Sequence, residues 1–268
     1  MILVGTSGWQ YADWRGRFYP ADLPQRLWLE HYADAFATVE VNNAFYRLPD
    51  RGVFQGWRDR TPADFLVGVK CSRYLTHIKR LRDPAEPVAR ILDRACALGD
   101  RLGPVLLQLP PNLRCDLAAL DDVLGHFREA SARMRNHIPD GIRVAVEPRH
   151  VSWWTDDVRA CLAAHGAALC WADRRGRPVT PLWRTADFGY LRMHEGRATP
   201  RPRYGPQALH GWIDRVGDAF GPGPDVFVYF NNDHGAAAIT DAVAFAGAAR
   251  RRGFDVTRTD AVGRRGAS

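Results

Sequence analysis

Eight short runs of β-branched, aromatic and other apolar residues recur along the chain, at 2–6, 38–42, 65–70, 105–109, 142–146, 168–172, 190–194 and 226–230. Most are followed by a polar turn and then by apolar residues at helical spacing. Between 24 and 36, Leu27, Leu29, Tyr32, Ala33 and Phe36 keep that spacing. Between 87 and 102, Val88, Ile91, Leu92, Ala95 and Leu98 do so, with Gly103 next as a stop signal. Segments 116–135, 155–165, 206–220 and 239–252 read as helices too, and 52–60 as a short one. Only 173–189, after the sixth run, reads as loop alone. Strands alternating with helices indicate parallel βαβ units. Eight such units in about 250 residues fit a (β/α)8 TIM barrel, an α/β fold in one domain. The expected domain spans 1–256, with a disordered basic tail at 257–268. An open doubly wound sheet is the competing arrangement, and it usually carries a glycine-rich turn after its first strand. Here that turn is Gly5-Thr6-Ser7-Gly8-Trp9, not G-x-G-x-x-G, and no P-loop occurs.

Composition narrows the function classes. The net charge of +7 could suggest a nucleic-acid partner. Residues 250–268 hold six arginines against two aspartates, so four of those seven charges sit at the C-terminal end. The rest of the chain is only mildly basic, and no nucleic-acid-binding motif is present. Lys70 and Lys79 are the only lysines. Five cysteines, Cys71, Cys96, Cys115, Cys161 and Cys170, are scattered without a C-x-x-C. That pattern supports neither a disulfide framework nor a zinc cluster, and the expected compartment is the cytoplasm. No apolar run approaches the roughly 20 residues of a membrane helix. The start, Met1-Ile2-Leu3-Val4-Gly5, reads as a first strand rather than a leader.

Strands buried on both faces should be apolar throughout. These are, except at their C-terminal ends, where Glu40 and Asn42, Lys70, Gln108, Glu147 and Arg149, Asp173, Arg192 and His194, and Asn231, Asn232 and Asp233 fall. Residues two apart on a strand point to one face. Glu40 with Asn42, Glu147 with Arg149, and Arg192 with His194 can therefore each point into the barrel together. Buried charges are costly unless paired or hydrated, and barrel enzymes keep their chemistry at this end. The same groups could instead form an ion-pair network closing the barrel, with Glu147 against Arg149 or Arg192. Trp9, Tyr11, Trp14, Phe45, Tyr46, Trp153 and Trp154 fall near the same mouth. They could stack on a ring-shaped ligand or simply pack the long loops. Trp28, Trp57 and Trp212 sit in helical patterns and read as core.

Taken together, Gly5-Thr6-Ser7-Gly8-Trp9, Phe18-Tyr19-Pro20, Val39-Glu40-Val41-Asn42 with Phe45-Tyr46, Val69-Lys70 and Thr76-His77 form an ordered set. Gln108-Leu109-Pro110-Pro111, Glu147-Pro148-Arg149-His150 running on to Trp153-Trp154, Arg192-Met193-His194 and Tyr229-Phe230-Asn231-Asn232 continue it. This order and spacing resembles the YecE-like family, domain of unknown function 72, over about residues 1–250. The resemblance implies a TIM-barrel fold and no particular activity. The polar family positions it implies here are Glu40, Asn42, Lys70, His77, Gln108, Glu147, Arg149, Arg192, His194, Asn231 and Asn232. Two residues depart from the family pattern: Pro148 stands where Phe is common, and Glu195 where Gly is usual. Pro148 has no N–H for a ladder, so the fifth strand should end before it.

The leading expectation is a metal-independent enzyme with an anion-binding site for a phosphorylated or carboxylated, sugar-like small molecule. Lys70, Arg149 and Arg192 would clamp the anion. Glu147 or Glu40 would act as base, and His194 or His77 as proton donor. Asn42, Tyr46, Gln108, Asn231, Asn232 and Trp9 would complete the binding surface. No cofactor is expected. A metal-dependent hydrolase or isomerase of xylose-isomerase-like type is the alternative, with a divalent metal on Glu147, Asp173 and His194, joined by Asn231 or Asp233. A glycosidase on Glu40 and Glu147 and a non-enzymatic nucleic-acid binder are weaker ones.

Overall fold

Burial on both faces accounts for strands that read as unbroken apolar runs. The computed structural model describes residues 1–138 and 141–259. Its strands are β1 (Ile2–Thr6), β2 (Thr38–Val41), β3 (Leu66–Lys70), β4 (Leu102–Gln108), β5 (Val144–Glu147), β6 (Ala168–Leu169), β7 (Trp171–Arg174), β8 (Arg177–Pro178), β9 (Gly189–Met193) and β10 (Val226–Phe230). Its α-helices are α1 (Trp28–Ala35), α2 (Asn43–Tyr46), α3 (Arg51–Asp59), α4 (Ala85–Ala95), α5 (Leu117–Arg133), α6 (Asp156–Ala164), α7 (Pro206–Phe220) and α8 (Ala237–Arg251). The chain is a single mixed α/β domain. Two five-stranded sheets run β1-β10-β9-β7-β8 and β2-β3-β4-β5-β6. Every pairing between these strands is parallel except β7 with β8.

Local chemistry sets several boundaries. Asp116 caps α5 by accepting from the Ala119 amide, and Thr155 caps α6 by accepting from the Val158 amide. The helix expected over 87–102 ends at Ala95, and Cys96–Arg101 tightens into 3₁₀ turns around Gly99, whose φ is +59°. β5 ends at Glu147, one residue before Pro148.

The sheets meet at two places. The sixth run divides at Cys170. Its first half pairs with β5, Ala168 opposite Ala145, and its second half with β9, Ala172 opposite Arg192. On the other side Ser7 bridges to Glu40. There β1 passes so close to β2 that a Cβ on Gly5 would lie 2.2 Å from the Thr38 carbonyl oxygen. One buried cluster lies between strands and helices. A second draws Leu3, Leu106, Ala145, Tyr190, Phe227 and Tyr229 from both sheets. Tyr229, on β10, reaches to 2.8 Å from the Thr38 hydroxyl on β2.

Two expectations are corrected. Segment 173–189 is not loop alone. β7 and β8 form an antiparallel hairpin around Arg175 and Gly176, at φ +54° and +76°. Asp173 Oδ2 accepts from the Gly176 amide and holds that turn. Residues 257–259, expected as tail, are also tied to the domain. The Thr257 amide donates to Ile2 O, Arg258 donates to Ala33 O and pairs with Asp64, and Thr259 is buried. These residues occupy backbone acceptors left open beside β1 and α1. Residues 260–268 lie outside the described residues.

Candidate functional site

Several strands bring their polar C-terminal ends together. Tyr190 and Arg192, two apart on β9, both point inward and both reach Glu40 of β2. Glu40 Oε1 accepts from Ser7 Oγ (2.7 Å) and from Arg192 Nη2 (2.8 Å), and Oε2 accepts from the Tyr190 hydroxyl (2.6 Å). The other arm of the same guanidinium donates to Glu147 Oε2 at 2.7 Å. Arg192, on one sheet, therefore bridges two carboxylates of the other, at 2% exposure against 0% and 1% for its partners. Burial works against the charge on Glu40. Arg192, with the Tyr190 and Ser7 hydrogen bonds, outweighs it and holds that carboxyl below its ordinary range. Burial also opposes ionisation of Glu147, but Arg192, His194 and Arg149 hold it well below.

Glu147 orders the next layer. Its Oε1 lies 3.2 Å from Arg149 Nη2 and 2.9 Å from His194 Nε2. An ionised carboxylate only accepts, so Nε2 carries the ring proton. His194 Nδ1 lies 3.0 Å from the Asn231 amide nitrogen, which makes it an acceptor there. The His194 backbone amide donates to Asp173 Oδ1 at 2.6 Å, and the Tyr204 hydroxyl donates to the same oxygen at 2.7 Å. Burial pushes Asp173 up to about 6, against hydrogen bonds that pull it down. Glu147, Arg149, Asp173 and His194, with Arg174 and Glu195, line a cavity of about 470 Å³.

Lys70 ends β3 and is buried, yet among the described residues it has neither a hydrogen-bond partner nor an ion pair. Its ammonium lies 4.1 Å from the Phe45 ring centroid. Burial, with Arg192 and Arg149 beside it, lowers it to about 8 against the pull of Glu40 and Glu147. His77 meets Phe45 edge-on and bonds Thr76 Oγ1. Burial, then Lys70, Arg73 and Arg149, lowers its affinity for a proton.

The remaining expected residues are dispersed. Gln108 donates to Leu109 O, and Asn42 Oδ1 is buried without a partner. Asn232 donates to Pro202 O and to Asp241, away from Glu147. Tyr46 is 82% exposed on α2. Trp9 is buried with its ring edge-on to Trp57, and Trp153 is buried with its N–H on Leu113 O. Arg192, expected as part of the anion clamp, is occupied by two carboxylates of the protein. Glu147, Asp173 and His194 spend their lone pairs and protons on protein partners. Among the described residues the His, Cys and carboxylate groups that do converge are Asp121, Cys161 and His165, on α5 and α6 and beyond.

Sequence reasoning missed two participants. Tyr190 falls inside the seventh apolar run, two residues before Arg192 on the same face, and Ser7 in the turn after the first strand. Asp233 reads as one of the polar strand ends and as a possible metal ligand. Its Oδ1 is buried without a partner, and burial pushes its carboxyl up to about 7, aided by the Glu40 charge.

No helix among the described residues is long and apolar enough to cross a membrane. The chain is 25% identical to the UPF0759 protein YunF of Bacillus subtilis (strain 168), over 89% of this chain and 91% of that one. The crystal structure of a DUF72 family protein, TM1631 from Thermotoga maritima MSB8, superposes with a TM-score of 0.74 at 26% identity, covering 91% of this chain and 97% of that one. A DUF72 family protein of Enterococcus faecalis V583 (EF0366) shares the fold with a TM-score of 0.76 at 18% identity, over 93% and 96% of the two chains. The family described as protein of unknown function DUF72 matches residues 3–263, and the chain belongs to it.

Proposed function

We propose that this protein is an enzyme that binds an anionic small molecule at the mouth and works on it by proton transfer. We also infer that its two sheets are halves of one closed (β/α)8 barrel. The divided sixth run, the Ser7–Glu40 bridge and the inner cluster shared by both sheets support that closure. The observation carrying the functional reading is a buried, fully bonded carboxylate–arginine–carboxylate frame beneath a polar cavity, with an unpaired lysine beside it. Glu40 and Glu147, held ionised by Arg192, are weak bases. Their role is to fix Arg192 and to orient His194. The His194 ring, turned into the cavity wall, handles the proton. Lys70 and Arg149, the cations not enclosed by carboxylates, hold the anion. A resident cation on Glu147, Asp173 and His194 is less favoured, because Arg149 and Arg192 already flank Glu147 and His194 Nε2 serves it as a donor.

The test is a thermal-shift screen of phosphorylated and carboxylated sugars on the wild type and on Lys70→Met with Arg149→Gln. A compound that stabilises the wild type should lose at least about tenfold in affinity in the double variant, the scale of losing charge-assisted bonds. Equal stabilisation of both proteins, or no stabilising compound at all, would sink the reading.

A further inference from the structure

A second cavity, of about 530 Å³, lies between the β7–β8 hairpin and the start of α7. Arg175, Arg177, Arg197 and Arg215 all line it, and no carboxylate does. None of the four is within ion-pair distance of an acidic group among the described residues. Arginine is common in this protein, so the contrast with another arginine-rich cavity matters. In the cavity beside Tyr46, Arg90 pairs with Glu86 and Arg94 with Asp50. In the hairpin cavity, among the described residues, none of the arginines has such a partner.

Neighbouring residues divide between the two cavities. Arg174 and Glu195 face the mouth cavity and pair at 3.4 Å. Arg175, Arg177 and Arg197 line the second cavity. Arg197 Nε donates to Arg175 O and Arg215 Nη1 to Gly211 O, which fixes both side chains while leaving their other N–H groups free. The hairpin tip packs on the first turn of α7, where a Cβ on Gly176 would lie 3.1 Å from Ala208 Cβ. α7 itself begins Gly205-Pro206 with no side-chain cap and no acidic residue in its first turn, which leaves its positive end open to an anion.

We propose that this cavity binds the phosphate groups of a small phosphorylated ligand, at a site separate from the mouth. Four unpaired guanidinium groups suit phosphate oxygens, which accept paired N–H bonds. The concave form and small-molecule volume favour a compact ligand over an extended polyanion. The two cavities share a wall. Tyr204 lines the second cavity and donates to Asp173 Oδ1, the oxygen that also accepts from His194 N.

The experiment is calorimetric titration of the full chain with inorganic pyrophosphate at fixed ionic strength. Arg177→Gln with Arg197→Gln should bind at least about tenfold more weakly than wild type, a loss of about 1.4 kcal/mol. Arg17→Gln with Arg82→Gln removes the same charge from exposed positions elsewhere and should stay within about twofold, the scale of screened surface charge. Arg149→Gln should leave this binding intact. No saturable pyrophosphate binding to the wild type overturns the proposal, as does equal weakening by both double variants. Loss tracking Arg149 would place the anion in the mouth instead. Binding of a single-stranded oligonucleotide without binding of pyrophosphate would make the arginines a nucleic-acid surface.

Discussion

At the scale of the residue, Arg192 holds the mouth together electrostatically. It pairs with two carboxylates with almost no access to water. Breaking a buried pair by removing one partner costs about 3–5 kcal/mol, because the abandoned charge stays desolvated. Arg192→Met abandons two. The expected loss of stability is at least of that order, a fall in Tm of roughly 10 °C for a domain of this size. Adding Glu40→Gln and Glu147→Gln should recover much of it. Denaturant unfolding of the single and triple variants checks this; a single variant within about 1 kcal/mol of wild type would contradict the frame. The residue types were legible from position alone, since polar groups two apart at strand ends share a face. Which groups neutralise each other was not. Glu40 and Arg192 are far apart in sequence, and only the fold fixes the distance between β2 and β9. Arg192 therefore read as a ligand clamp when its donors face the protein's own carboxylates.

At the scale of the element, periodicity located the strands to within about three residues and found every α-helix but the single-turn α2. It failed where partners, not patterns, decide. The sixth run has one apolar signature, yet it serves β5 with one end and β9 with the other, and that division is a property of the sheet. The β7–β8 hairpin escaped notice because its turn uses Arg175-Gly176 rather than an Asn-Gly or Asp-Gly pair. The approach of β1 to β2 rests on Gly5, whose absent side chain makes room for the Thr38 carbonyl. Gly5→Ala would push a methyl group into main chain that cannot rotate away, at a cost on the order of 3 kcal/mol. Gly52→Ala is the contrast. A Cβ there meets nothing within 4 Å, and at this exposed position α3 should gain about 0.5–1 kcal/mol. Paired urea titrations distinguish the two; similar small effects would mean that the strands separate easily at this seam.

At the scale of the whole molecule, the buried titratable groups give stability a pH dependence of alternating sign. Glu40 and Glu147 are held below their ordinary range, so they stabilise the fold above about pH 4.5 and lose that contribution as acid protonates them. Asp173 and Asp233 behave oppositely. Raised to about 6 and about 7, they keep protons in the folded protein that the unfolded chain has released. Stability must therefore fall as pH rises from about 4 to 7. Lys70, lowered to about 8, binds its proton more weakly when folded and adds stability from about pH 8 toward 10.5, while the buried Cys71 and Cys170 thiols, pushed up by burial, subtract from it over the same range. Asp233 is the group to change, because its buried Oδ1 has no partner to lose. Asp233→Asn removes an ionisation that burial penalises, and should stabilise the protein by on the order of 2 kcal/mol at pH 8 but little at pH 4. Urea midpoints for wild type and variant from pH 4 to pH 8 measure this. Parallel curves would show that Asp233 is ionised at no cost in the folded protein, and that its carboxylate finds water or a cation at the mouth.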